Sequence, residues 1–161
     1  MAAADTDVVI EHPNRDKPES KVTRAIVVAL LLLTAILMLF VQIGGWNVAK
    51  NMALLTFLIV LSYLVSAYFI AKWSKGLLPV AAGIATINMF FALVAVGSWS
   101  DRNADGFTVS TTDPGLLAIV CAVLVPLQIL VIFFSLRGFQ QHWNVEVERL
   151  PDGSTRKVAS F

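Results

Sequence analysis

Residues 114–136 read PGLLAIVCAVLVPLQILVIFFSL, without one Asp, Glu, Lys, Arg or His. A helix rises about 1.5 Å per residue, so about 20 apolar residues match the hydrocarbon thickness of a bilayer. Three other stretches are equally free of charge: Ala25 to Ala49, Asn51 to Ala71 and Gly76 to Ser100. Together they predict an all-α membrane protein with transmembrane helices over about residues 24–44, 51–71, 77–98 and 114–136. The loops after the first two spans are short, which makes neighbouring helices antiparallel and the simplest arrangement an up-down four-helix bundle.

Composition points the same way. Hydrophobic residues make up 57% and charged residues 14%, with a mean hydropathy of +0.76, whereas soluble domains carry about 25% charged residues. The net charge of +1 argues against a nucleic-acid partner, which calls for a strongly basic face. Cys121 is the single cysteine; it forms no intrachain disulfide, and no Cys/His spacing resembles a zinc site.

Lys and Arg in the flanks set the orientation, because positive residues are retained in the cytoplasm. Arg15, Lys17, Lys21 and Arg24 precede the first span, Lys72 and Lys75 occupy the second loop, and Arg137, Arg149, Arg156 and Lys157 follow the fourth. Only Lys50 and Arg102 lie in the other two loops. Both termini are therefore expected in the cytoplasm, in a plasma or bacterial inner membrane. The first span is too long for a signal-peptide core and reads as an uncleaved helix. Trp46, Trp73, Trp99 and Trp143 fall at or just beyond span ends, where indoles serve as interfacial anchors.

Residues 1–22 are polar, mixed in charge and contain Pro13 and Pro18, which predicts a flexible cytoplasmic arm. Residues 23–138 form the transmembrane domain and residues 139–161 a cytoplasmic tail. In that tail Trp143, Val145 and Val147 alternate with Asn144, Glu146 and Glu148, and Leu150-Pro151-Asp152-Gly153 is a turn sequence. A short β-hairpin returning over Ser154 to Val158 is expected, with Glu146 and Glu148 facing Arg156 and Lys157. A lone hairpin is marginal in water, so it frays or docks, and a protein partner is one candidate.

Small residues recur at helical spacing along the spans. Ala81, Ala85, Asn88, Ala92 and Ala95 share one face of the third, and Ala118, Cys121, Val125, Gln128, Ile132 and Ser135 one face of the fourth. Ser62 and Ser66 form a small-xxx-small pair in the second. Such faces bring helices together within one chain or between copies.

One polar residue per span lies near the middle of the bilayer: Thr34, Ser62, Asn88 and Gln128. At helical rise these sit about 14–20 Å in from the cytoplasmic charges. An unpaired amide in hydrocarbon costs several kcal/mol, so Asn88 and Gln128 are expected to face inward and to meet. This layer either sets helix register or binds a small polar group such as a quinone.

The spans hold no acid or base, which argues against ion-coupled transport, haem ligation and activated nucleophiles. No catalytic constellation is visible and no cofactor is expected. One loop has a metal-binding look: Asp101, Asn103, Asp105 and Phe107 carry oxygen ligands at the alternating spacing of a calcium loop, with Gly106 for the turn. Thr112 stands where the bidentate Glu belongs, so the plainer expectation is a turn. Asp113-Pro114 reads as the cap and first residue of the fourth span. The functional expectation is a non-catalytic accessory, scaffold or assembly subunit of a membrane complex. The alternative is a small-solute channel, carrier or lipid- or quinone-type ligand binder built on the midplane layer.

Overall fold

The computed structural model describes residues 9–102, 104, 106–149 and 154–158. The chain runs through strand β1 (Val9–Glu11), a short helix α1 (Pro13–Asp16) and the long helix α2 (Pro18–Gly44). A bend leads through α3 (Trp46–Ala49) and a 3-10 turn (Lys50–Met52) into α4 (Ala53–Ala71). Helices α5 (Leu77–Asp101) and α6 (Pro114–Gln140) follow, then strands β2 (Glu146–Arg149) and β3 (Thr155–Val158). Four helical segments, Pro18–Gly44, Trp46–Ala71, Leu77–Asp101 and Pro114–Gln140, are long and apolar enough to cross a membrane.

Local chemistry sets the ends of these helices. Asp113 Oδ1 accepts from the Leu116 amide at 2.9 Å and Pro114 opens α6, the cap expected from the sequence. Helix α4 closes in a Schellman turn: the Trp73 amide donates to Ile70 O at 2.9 Å and the Ser74 amide to Phe69 O at 3.0 Å. That motif normally places glycine in the left-handed position. Here Trp73 occupies it at φ 69°, and His142, two residues beyond α6, adopts φ 50°. Each costs about 1–2 kcal/mol of backbone strain, which must be offset by packing around it.

Helix α5 lies broadly against α6, α2 packs on both α4 and α6, and α4 meets α5 more sparsely than any of these three pairs meet. The α5 face is lined by Ala81, Ala85, Asn88 and Ala92, all buried, and the α6 face by Ala118, Cys121, Gln128 and Ser135. Small side chains let two backbones approach, which replaces the hydrophobic drive that lipid does not supply. Between 33% and 39% of each span is buried, and the outward remainder is equally apolar, including Leu54, Phe90, Val94, Ile119 and Phe133. An apolar exterior of this kind suits hydrocarbon and not water.

Two of the four tryptophans depart from the anchor reading. Trp46 is exposed, as an anchor is, but Trp143 is fully buried and Trp99 nearly so. Each lies over a glycine. A Cβ on Gly138 would come within 3.1 Å of the Trp143 ring, and a Cβ on Gly45 would overlap the Trp99 ring. These indoles plug the two ends of the helix assembly because a glycine leaves a notch for each, Gly45 at the end of α2 for Trp99 of α5 and Gly138 in the last turn of α6 for Trp143, which folds back over it.

The expected hairpin forms, with Glu148 opposite Arg156 and Val147 opposite Lys157 in an antiparallel register. Its turn, residues 150–153, lies outside the described residues. The hairpin is not alone. Strand β1 pairs antiparallel with β2, Val9 opposite Arg149 and Glu11 opposite Val147, giving the sheet order β1-β2-β3. Residues 9–22, read from sequence as a flexible arm, are thus a strand, a helical turn and the start of α2. The physical reason is the open edge of β2: a two-stranded ribbon gains backbone partners and a covered face by taking a third strand. The Arg149–Glu11 ion pair at 3.3 Å lies across the same pairing.

Opposed residues of an antiparallel pair have Cα atoms about 4.5–5.5 Å apart, within the range that disulfides bridge. A chain carrying Ile10→Cys and Glu148→Cys, residues paired across β1 and β2, in a Cys121→Ser background is expected to form an intramolecular disulfide on mild oxidation. Non-reducing electrophoresis reads it, and persistence of two free thiols would refute the pairing.

Candidate functional site

The inward faces of the four long helices decide which polar side chains meet. On α4 the buried positions are Val60, Tyr63, Ser66, Ala67 and Ile70. Ser62 stands one residue aside from that stripe, and its hydroxyl donates to Leu58 O of its own helix at 2.8 Å. It does not join the layer. Tyr63 does: its hydroxyl donates to Gln128 Oε1 at 2.7 Å, across 65 residues of sequence and entirely within the interior. The missed signal was the spacing of Val60, Tyr63, Ala67 and Ile70, in which a tyrosine counts as apolar until its hydroxyl is considered.

Thr34, Asn88 and Gln128 are buried as the layer requires, but the two amides do not bond each other. Gln128 accepts from Tyr63, while Asn88 Nδ2 donates to Met38 Sδ at 3.4 Å and its side chain interacts with the Tyr63 hydroxyl. A thioether is a weak acceptor. Among the described residues, Thr34 Oγ1, Gln128 Nε2 and Ser135 Oγ are buried without a hydrogen-bond partner. The interior therefore holds more hydrogen-bonding capacity than its own side chains use.

Asn88 and Met38 also stand at the inner end of a groove of about 640 Å3. The groove runs along the sparser α4–α5 seam, with the last turns of α2 as its floor. Its rims are exposed apolar side chains, Met52, Leu55, Phe91 and Val94. Gln42, buried and donating to Ala49 O at 3.1 Å, lies along it. At the outer mouth Arg102 stands 5.9 Å from the centre of the Trp99 ring and 5.7 Å from that of Phe107. Among the described residues, Arg102 is the one charged residue lining the groove. A volume of this size falls among small-molecule sites, which pair apolar walls with a few polar groups. An elongated apolar molecule fits it, with a polar group for Asn88 or Arg102.

Of the residues in the calcium-like loop, Asp101 ends α5 and is exposed, and Phe107 is exposed near the Arg102 guanidinium. Asn103 and Asp105 lie outside the described residues. Gly106 takes φ 96°, the conformation a sharp turn demands. No group of three or more His, Cys, Asp or Glu side chains placed to hold a metal occurs among the described residues.

Comparison with protein-family models, with curated proteins and with solved structures gave no match.

The Tyr63–Gln128 pair makes a quantitative prediction. Tyr63→Phe leaves a buried amide without its donor and is expected to cost about 1–2 kcal/mol. Gln128→Leu strands the tyrosine hydroxyl at a similar cost, and the double variant costs less than the sum by about 1 kcal/mol. Ser62→Ala stays within about 0.5 kcal/mol of the parent. Unfolding in detergent measures all four; additive single costs would show that the hydroxyl and amide do not interact.

Proposed function

We propose that this chain is a non-catalytic integral membrane protein that holds one lipid-like or quinone-type molecule in the groove between α2, α4 and α5. The helices run as an antiparallel up-down bundle with both termini in the cytoplasm of a plasma or bacterial inner membrane. Three contacts support that arrangement. Arg24, near the start of α2, donates to Ala71 O at the end of α4; Thr112, before α6, donates to Gly44 O at the end of α2; and β1 pairs with β2. The ten Lys and Arg residues flanking that end, against two at the other, supply the orientation by the positive-inside rule.

The observation that carries the ligand reading is Asn88, a buried amide at the inner end of an apolar groove, whose Nδ2 donates to the Met38 thioether, a weak acceptor, and whose side chain otherwise meets the Tyr63 hydroxyl. A side chain that costs several kcal/mol to leave unpaired in hydrocarbon is best matched by a ligand oxygen entering along the groove. The rims are open on the lipid side, so such a molecule reaches the site laterally from the bilayer. Part of the support for an accessory or assembly role was a tail hairpin free to dock on another protein. With β2 already occupied by β1, that hairpin gives less support to a partner.

Mild-detergent extraction followed by native mass spectrometry tests the reading. A small molecule is expected to stay bound to the parent protein and to be lost from Ala95→Phe, which places a ring in the groove, while the melting transition stays cooperative. Absence of any retained molecule, or equal retention by the filled variant, would overturn it. Stoichiometric co-purifying protein without ligand would restore the assembly role.

A further inference from the structure

At the end of the molecule carrying the sheet β1-β2-β3, a second cavity of about 560 Å3 opens between α1, the first turns of α2 and the loop after α4. Two guanidinium groups line it, and each is oriented by neutral partners. Arg15 Nε donates to Trp143 O at 2.9 Å. Arg24 donates to Ala71 O at 3.0 Å and lies 4.1 Å above the Trp73 ring. Neither has a carboxylate within ion-pair distance among the described residues.

The acids lining the same cavity already have cations, Glu11 with Arg149 outside it at 3.3 Å and Asp16 with Lys21 of the same lining at 3.8 Å. His12 Nδ1 is buried there without a hydrogen-bond partner, the nearest carboxylate oxygen, of Glu146, being 4.0 Å away. Arginine carries five N–H donors in a planar fork that matches phosphate oxygens. Arg15 and Arg24 each use one of them on a backbone carbonyl and keep the rest.

Position narrows the anion. Arg24 is the last charge before the first apolar span, and the Trp73 ring beneath it occupies the level where headgroups lie. The lining sums to three cations, Arg15, Lys21 and Arg24, against two acids, Glu11 and Asp16. With Asp16 paired to Lys21 and Glu11 to Arg149, Arg15 and Arg24 are the cations left over, two guanidinium groups for the phosphate of one anionic headgroup. A zwitterionic headgroup would bring an ammonium for which both acids are already taken.

We propose that this cavity is a binding site for an anionic phospholipid of the leaflet on the side of the sheet, its phosphate held by Arg15 and Arg24 with His12 as a third donor. Arg15 grips the carbonyl of Trp143, the residue that leads into the β2–β3 hairpin, and Arg24 grips the end of α4. Lipid binding therefore fastens the terminal sheet to the helices.

The full-length protein in micelles doped with phosphatidylglycerol or phosphatidylcholine tests the assignment, with bound lipid counted by native mass spectrometry and the melting temperature followed in parallel. Phosphatidylglycerol is expected to be retained about tenfold over phosphatidylcholine, a difference of about 1.4 kcal/mol, and to raise the melting temperature. Both effects should vanish in R15Q/R24Q and persist in R137Q, which removes an exposed charge outside the cavity. Should the double variant fail to fold, R15Q alone, altering a side chain outside the spans, is expected to show most of the loss. Equal retention of the two lipids, or equal loss in R137Q, would overturn the site. The same melting shift with inorganic phosphate alone would overturn its assignment to a lipid.

Discussion

Hydrocarbon offers no hydrogen bonds, and that constraint shapes the inside of this protein more than any apolar contact does. In water a helix chooses its buried face by hydrophobicity. Here both faces of every span are apolar, so polar atoms choose instead, because only the interior can pair them. Helix α4 shows the rule at work. Turning Tyr63 inward pairs its hydroxyl with Gln128, while Ser62 satisfies itself on Leu58 O and is free to sit at the flank. A serine carries its own escape from the constraint through its helix backbone. A tyrosine does not, because its hydroxyl stands too far from the backbone.

That difference explains how much was legible in the sequence. The spans were, since a charge-free stretch of helical length has few other readings, and so was the Asp113 cap. The small-residue faces of α5 and α6 were also legible, since Ala81, Ala85 and Ala92 keep one helical face whatever surrounds them. The layer was legible only in part. Thr34, Asn88 and Gln128 followed from depth, but depth says nothing of azimuth, and azimuth separates Ser62 from Tyr63. The tryptophans were harder still. An indole at a span end belongs equally to a headgroup belt and to a plug, and the choice lies with another residue, distant for Trp99, which Gly45 gives a notch, and five positions upstream for Trp143, which Gly138 gives one. Single-residue propensity cannot contain a fact about two residues.

The terminal cap follows the same logic of pairing. Trp73 and His142 hold left-handed backbone conformations that glycine would adopt without cost, yet both side chains are used. The Trp73 ring meets Trp143 edge-on at 5.3 Å and carries Arg24 on its face. His142 Nδ1 lies 3.3 Å from Lys75 Nζ, and Asn144 Oδ1 accepts from the same ammonium at 3.2 Å. Aromatic pairing contributes about 0.5–1.5 kcal/mol and a solvent-accessible cation–π contact about 0.5–1 kcal/mol, together comparable to the strain at Trp73. The sheet β1-β2-β3 is then less a domain than a strap, tied down through Arg15 and Asn14, which donate to the carbonyls of Trp143 and His142.

The two cavities differ because the two ends of the helix assembly close differently. At the end that carries the sheet β1-β2-β3, that sheet, two indoles and the guanidinium contacts of Arg15 and Arg24 bind the helix ends together, and the opening that remains is polar and lies outside the helix core. At the other end Trp99 is the principal plug and α3 with the 3-10 turn replaces a tight helical crossing, so α4 leans away from α5 and leaves an apolar slot reaching to Asn88. Tight packing of α5 on α6 makes this asymmetry stable. With one helix pair fixed by small residues, slack in the helix assembly collects along the sparser α4–α5 seam, where the groove opens.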